Sequence, residues 1–281
     1  MPCSLLRLTP ATALARGRRA PHSDRTGRTP WGWALVGALL GALPAGAAFA
    51  PAQWLASAVA RASDGQVQLA QARGTVWTGS AQLVLTGGAA SQGAAALPGR
   101  VDWQLRPTWS GVQAALNASC CTATPLQLQT RLRWGGAQLT LTDGQSQWPA
   151  AVLTGLGTPW NTVQPQGQLV LRTQGLQADW ASGRMVLTGQ AQLDALAMSS
   201  RLSTLAPMGS YRFDLQGGAV PTLTLQTLEG SLQLSGSGQW IGQRLRFAGE
   251  ASAAPEREAA LANLLNIIGR RSGARSLITL G

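Results

Sequence analysis

The sequence predicts a mainly β protein: a single N-terminal transmembrane helix, then an antiparallel β-rich exported domain built from repeated hairpins, with a short C-terminal helix. Three observations predict it. A charge-free run, Trp31 to Ala50, is long enough to span a hydrocarbon core. From residue 66 onward, apolar and polar residues alternate in short stretches separated by Gly, Asn, Asp and Pro. Near the C-terminus, Leu261, Leu264, Leu265 and Ile268 return to helical spacing.

Taken in order, residues 1–30 read as a cytoplasmic Arg-rich tail. Arg7, Arg16, Arg18, Arg19, Arg25 and Arg28 stand there against Asp24, and the next Arg is Arg61. By the positive-inside rule the tail stays in the cytoplasm and the chain from about residue 51 crosses. Residues 31–50 are the anchor, with Trp31, Trp33 and Trp54 near its two interfaces. Pro44 is tolerated inside a membrane helix. The competing reading is a cleaved secretory signal, since Ala48-Phe49-Ala50 resembles a processing site. Pro51 directly after it disfavours cleavage, as does a run longer than a usual signal core. Both readings export the bulk of the chain.

Residues 51–64 read as a juxtamembrane helix or linker that extends the membrane helix until Ser63-Asp64-Gly65 stops it. Residues 65–281 form the expected periplasmic β-rich domain. Its clearest strand is Pro125 to Trp134, PLQLQTRLRW: Leu126, Leu128, Thr130, Leu132 and Trp134 face one way, Gln127, Gln129, Arg131 and Arg133 the other. Similar stretches cover 66–71, 81–86, 100–106, 137–142, 167–173, 185–188, 211–216, 222–227, 231–235 and 244–249. A short element, G-x-(A/G)-Q-(L/W), recurs at Gly79, Gly135, Gly189 and Gly236, which suggests hairpins laid side by side with a glycine bending each. Trp148 to Gly155 is expected to form one or two helical turns with Pro149 at the first position. Pro255-Glu256-Arg257-Glu258 opens the C-terminal helix with acids at its positive end, and Gly269 stops it. Arg270, Arg271 and Arg275 then precede a last strand, Leu277 to Leu280.

Composition excludes much chemistry. All 22 basic residues are Arg, scattered singly along strands rather than clustered, so nucleic acid is not an expected partner. The single histidine, His22, lies in the tail; the exported part lacks His and Lys, which removes a Ser-His-Asp or Cys-His triad and a His-based zinc site. Its acids are thinly spread, with no spacing that marks a catalytic pair. No catalytic residue, cofactor, metal or small-molecule substrate is expected. The one candidate site is the neighbouring pair Cys120 and Cys121, a vicinal disulfide in a compartment that permits oxidation. Neighbouring Cα atoms lie about 3.8 Å apart, below the usual disulfide span, so two small semi-buried loop residues is the plainer reading and a reactive switch the sharper one.

Three motifs, in order, resemble protein N of the type II (general) secretion pathway. They are Gly74-Thr75-Val76-Trp77-Thr78-Gly79-Ser80-Ala81; Leu153 to Thr162 with Pro165-Gln166-Gly167; and Leu202-Ser203-Thr204-Leu205-Ala206-Pro207-Met208-Gly209-Ser210-Tyr211-Arg212. The closing Leu264 to Arg271 also suits that family. The resemblance implies a non-enzymatic accessory component in the inner membrane, with other secretion components (the inner-membrane platform or the secretin) as partners. Trp77 and Trp160 within the motifs read first as core or sheet-face residues, Gly157-Thr158-Pro159 as a turn and Pro207-Met208-Gly209 as the start of a strand. Repeated hairpins after one anchor also resemble AsmA-type β-groove proteins, an alternative that implies lipid handling between the membranes.

Overall fold

The computed structural model describes residues 31–88, 93–181, 183–242 and 244–281; the expected cytoplasmic tail, 1–30, lies outside them. Two compact units divide the chain, Met1–Ala45 and Gly46–Gly281. Helix α1 (Trp31–Ala48) carries no charge, runs through Pro44 and buries none of its side chains. Its 18 residues extend about 27 Å, close to the thickness of a hydrocarbon core.

In the second unit, α2 (Ala52–Ala62) is a separate helix rather than an extension of α1. The chain breaks at Phe49–Pro51 because proline disfavours helical backbone in the residue before it. Ser63 ends α2: its hydroxyl donates to Val59 O at 2.8 Å and accepts the Val67 N–H at 3.0 Å.

The strands follow as β1 (Val67–Gly74), β2 (Thr78–Thr86), β3 (Ala94–Ala96), β4 (Val101–Thr108), β5 (Gly111–Ala118), β6 (Leu126–Arg133), β7 (Gly136–Leu141) and β8 (Gly144–Pro149). A 3-10 turn (Ala150–Leu156) and α3 (Trp160–Val163) interrupt them. Then come β9 (Gln166–Ala181), β10 (Arg184–Ser199), β11 (Gly209–Gly218), β12 (Thr222–Gly230), β13 (Leu232–Ile241), β14 (Arg244–Ala253), α4 (Glu258–Ile268), β15 (Arg270–Ser272) and β16 (Arg275–Leu280). All strands join one antiparallel sheet in the order β1-β2-β4-β5-β6-β7-β9-β10-β11-β12-β13-β14-β16-β15, with β3 on β2 and β8 on β9. Neighbours in sequence are thus nearly always neighbours in space, as repeated hairpins require.

Period-two alternation sorts the faces. Leu171, Leu193, Phe213 and Leu225 lie opposite one another across β9 to β12. Gly236 and Gly249 continue that row where the Phe247 ring lies over the sheet; a Cβ on Gly236 would come 2.4 Å from the ring. Leu261, Leu264 and Leu265 of α4, with Ala150, Trp148 and Val163, cover this apolar face together with Leu169, Tyr211, Leu225 and Phe247. Two smaller clusters lie towards the N-terminus: Leu97, Ala118, Cys121 and Val152, and Ala52, Ala81 and Trp103.

The structure corrects several sequence expectations. Trp148 and Pro149 end a strand, so Pro149 caps a 3-10 turn instead of opening a helix. Helix α4 starts at Glu258, three residues after Pro255, although it ends at Ile268 before Gly269 as expected. The arginines after it lie on strands β15 and β16, with Arg275 at the start of the last one. Strands β3, β5, β8 and β15 were not expected. The four repeat glycines do not hold one place in a hairpin. Gly135 is in a turn, but Gly189 sits at a bulge inside β10 and Gly236 within β13. Trp160 is 39% exposed on α3 and Trp77 half-buried in a turn; Trp103 is buried and Trp148 packs against the core.

Candidate functional site

The face opposite the apolar row carries Arg172, Gln192, Asp214, Thr224 and Ser237 side by side across β9 to β13. Its densest electrostatic point is Asp194, in the middle of β10. The Asp194 carboxylate is almost buried and accepts from Arg172 Nη1 at 2.7 Å, Arg212 Nε at 2.7 Å and Gln192 Nε2 at 3.0 Å. Antiparallel register creates the cluster, since Asp194 stands directly opposite Arg212 and Arg172 opposite Gln192. The Arg212 bond, helped by Arg172 and Gln192, holds the carboxyl below its ordinary range although burial pushes the other way. This is a fully bonded acid locked between two guanidinium groups, arranged to fix register rather than to exchange protons. On the opposite face the Tyr211 phenol is buried, and burial pushes its pKa up, so it stays neutral.

Cys120 and Cys121 lie in the β5–β6 connection and are bonded to each other in the structure. Cys120 is exposed, while Cys121 packs with Leu97, Ala118 and Val152. The loop is tied to β8: Gln147 N–H donates to Cys121 O at 2.8 Å and Thr122 bridges Ser146. Thr122 Oγ1 also accepts the Ala118 N–H at 2.9 Å, closing the turn. A shallow cleft of about 490 Å³ runs along the pair, lined by Ser119, Thr122, Thr124, Gln145 and Gln147. Because Thr122 and the β8 contacts hold the loop, replacing both cysteines by alanine is expected to cost less than about 2 kcal/mol, the low end for a structural disulfide. Urea unfolding of the double variant checks this, and loss of the folded domain would contradict it.

The sheet ends at β1 and β15, and both ends are blunted. Strand β1 carries a bulge between Ala70 and Arg73, with Gln71 in left-handed backbone and its carbonyl taken by Arg100 Nη2 at 2.9 Å. Strand β15 is three residues long and begins Arg-Arg. Bulges, charge and short length all discourage strand addition at these two ends.

Among the described residues no group of three or more His, Cys, Asp or Glu is placed to hold a metal. The Asp194 cluster was missed by sequence reasoning. Its signal was an acid in an Ala/Leu-rich stretch with Arg172 and Arg212 in neighbouring alternating stretches, but only register brings the three together. The family model for type II secretion system (T2SS), protein N, matches residues 65–277. No curated protein and no solved structure matches the chain.

Proposed function

Because the chain belongs to the protein N family of the type II secretion system, whose members are accessory secretion components, we propose that it is a non-enzymatic, single-pass inner-membrane component that takes part in exporting folded proteins from the periplasm across the outer membrane. The observation that carries this reading is the family match across almost the whole β unit. The apolar helix α1 supports an anchor, and the Arg asymmetry around it supports a cytoplasmic N-terminus with residues 65–281 in the periplasm. Its partners are the inner-membrane platform or the secretin, with no small-molecule substrate and no cofactor.

The lipid-groove reading requires a continuous free apolar face. From β9 to β14 that face is filled by α4 and the Trp148–Val163 region of the chain itself, which favours the assembly role. Two measurements test the proposal. Reporter fusions after Ala62 are expected to behave as periplasmic; cytoplasmic activity there contradicts the orientation. Crosslinking of residues 65–281 in cells with an active pathway is expected to capture platform or secretin subunits. Capture of lipid alone, or of exported substrates alone, would overturn the assembly role.

A further inference from the structure

We propose that the tips of three adjacent hairpins, β4–β5, β6–β7 and β9–β10, form a surface that seats in the headgroup region of an anionic phospholipid bilayer. Trp109, Trp134 and Trp180 lie in the interface, and Arg131, Arg133 and Arg184 bind lipid phosphates. The inference rests on α1 lying in a bilayer and is independent of the secretion reading.

Register places the tips together. Gly111 pairs with Arg131, Arg133 with Gly136, and Gly136 with Ala181, so the three turns stand side by side at one end of the sheet. Their spacing is about 10 Å, two strand separations each. Trp109 and Trp134 are completely exposed, and Leu132 is 68% exposed beside them. Trp180 and Met185, opposite each other on β9 and β10, are also exposed. An apolar cleft of about 600 Å³ opens between the tips, lined by Trp109, Val112, Leu132, Leu139 and Trp180. Several large apolar side chains exposed together mark a contact surface.

Charge and position identify the partner. Arg106, Arg131, Arg133 and Arg184 are exposed around the tips, and none takes part in a salt bridge among the described residues. Asp179, two residues before Ala181, is bonded to Gln138 and Gln177. Indole rings flanked by arginine match the boundary of an anionic bilayer, where rings lie at headgroup depth and guanidinium groups meet phosphate. The chain also enters the β unit at this end. The Val76 N–H donates to Ala50 O at 2.8 Å, and the Leu105 N–H to Trp77 O at 2.6 Å, four residues before Trp109. Pro51 bridges Thr75 only three residues after α1 ends at Ala48. The end of the sheet at which Ala50 and Pro51 join the β unit is therefore the end that displays the tryptophans.

The test uses the full chain in vesicles of phosphatidylethanolamine and phosphatidylglycerol whose acyl chains carry bromine near the headgroup, with no other protein present. In Trp109→Phe/Trp134→Phe/Trp180→Phe the quenchable tryptophan emission is expected to fall by roughly half, Trp31, Trp33 and Trp54 near the ends of the anchor remaining. Trp160→Phe, at the opposite end of β9, is expected to leave it unchanged. Arg131→Gln/Arg133→Gln/Arg184→Gln is expected to reproduce the loss while the circular dichroism of the sheet stays the same. Equal quenching in the triple Phe variant and the parent would overturn the proposal, as would tips that become shielded only when another secretion component is added.

Discussion

Asp194→Ala is expected to destabilise the β unit by about 2–3 kcal/mol, read as a lower urea midpoint with an unchanged slope. The substitution removes the shared acceptor of Arg172 and Arg212 from the middle of the longest strand pair. Breaking a buried ion pair costs about 3–5 kcal/mol, and the smaller figure reflects the partial exposure of both guanidinium groups. Asp194→Asn keeps the shape and hydrogen-bonding capacity and is expected to cost less. The pH dependence follows from the same contacts. Arg212 first, then Arg172, hold the Asp194 carboxyl below its unfolded value. Its contribution is therefore present above the ordinary aspartate range, near pH 4, and is lost as pH falls through the lower folded value. Between pH 5 and pH 2 the parent is expected to lose more stability than Asp194→Asn; parallel curves would contradict this account of the cluster.

Leu265→Ala is expected to have the largest single effect, about 3–5 kcal/mol, because the side chain is 1% exposed on the buried face of α4 and its removal leaves a cavity. Leu261, Leu264 and Leu265 are the stripe by which α4 covers the apolar face of the C-terminal half of the sheet. The carbonyl of Leu265 also accepts the buried Ser276 hydroxyl at 2.6 Å, tying the helix to β16. Ile267→Ala, on the 42% exposed side of the same helix, is expected to change stability by less than about 0.5 kcal/mol. Urea unfolding and limited proteolysis across 255–270 measure both. Similar values for the two variants would mean that α4 is not a cover for the core.

Much of the fold was legible because period-two alternation needs no partner to be recognised. Leu126–Arg133 of PLQLQTRLRW became β6, with Trp134 exposed in the turn after it, and the Leu261 stripe became the buried face of α4. What failed depended on distant neighbours. Strand β8, GQSQWP, has almost no apolar signal; it is a strand because β9 offers a free edge along Gln168–Thr173. The 16-residue span of β9 and β10 was hidden by a bulge that inserts an extra residue opposite Gly189. A Cβ at Gly189 would stand 2.1 Å from Gly175 O, which explains that glycine better than a repeat does. The start of α4 was misplaced because Arg257 caps it without any side-chain bond, so Pro255 and Glu256 before it marked no boundary. For the candidate sites, adjacency alone singled out Cys120 and Cys121, but not that Cys121 faces a core cluster. Asp194 was invisible because a lone acid acquires its meaning only from strand register.

The central claim is that this chain serves type II secretion, and deletion of its gene in a strain with an active pathway tests it most directly. The measurement is the partition of a folded exoprotein between periplasm and culture fluid. The account predicts that the exoprotein accumulates in the periplasm with inner-membrane translocation intact, and that expression of the full chain restores release. Normal secretion in the deletion strain, together with altered outer-membrane lipid content or permeability, would contradict the account and favour a lipid-handling role.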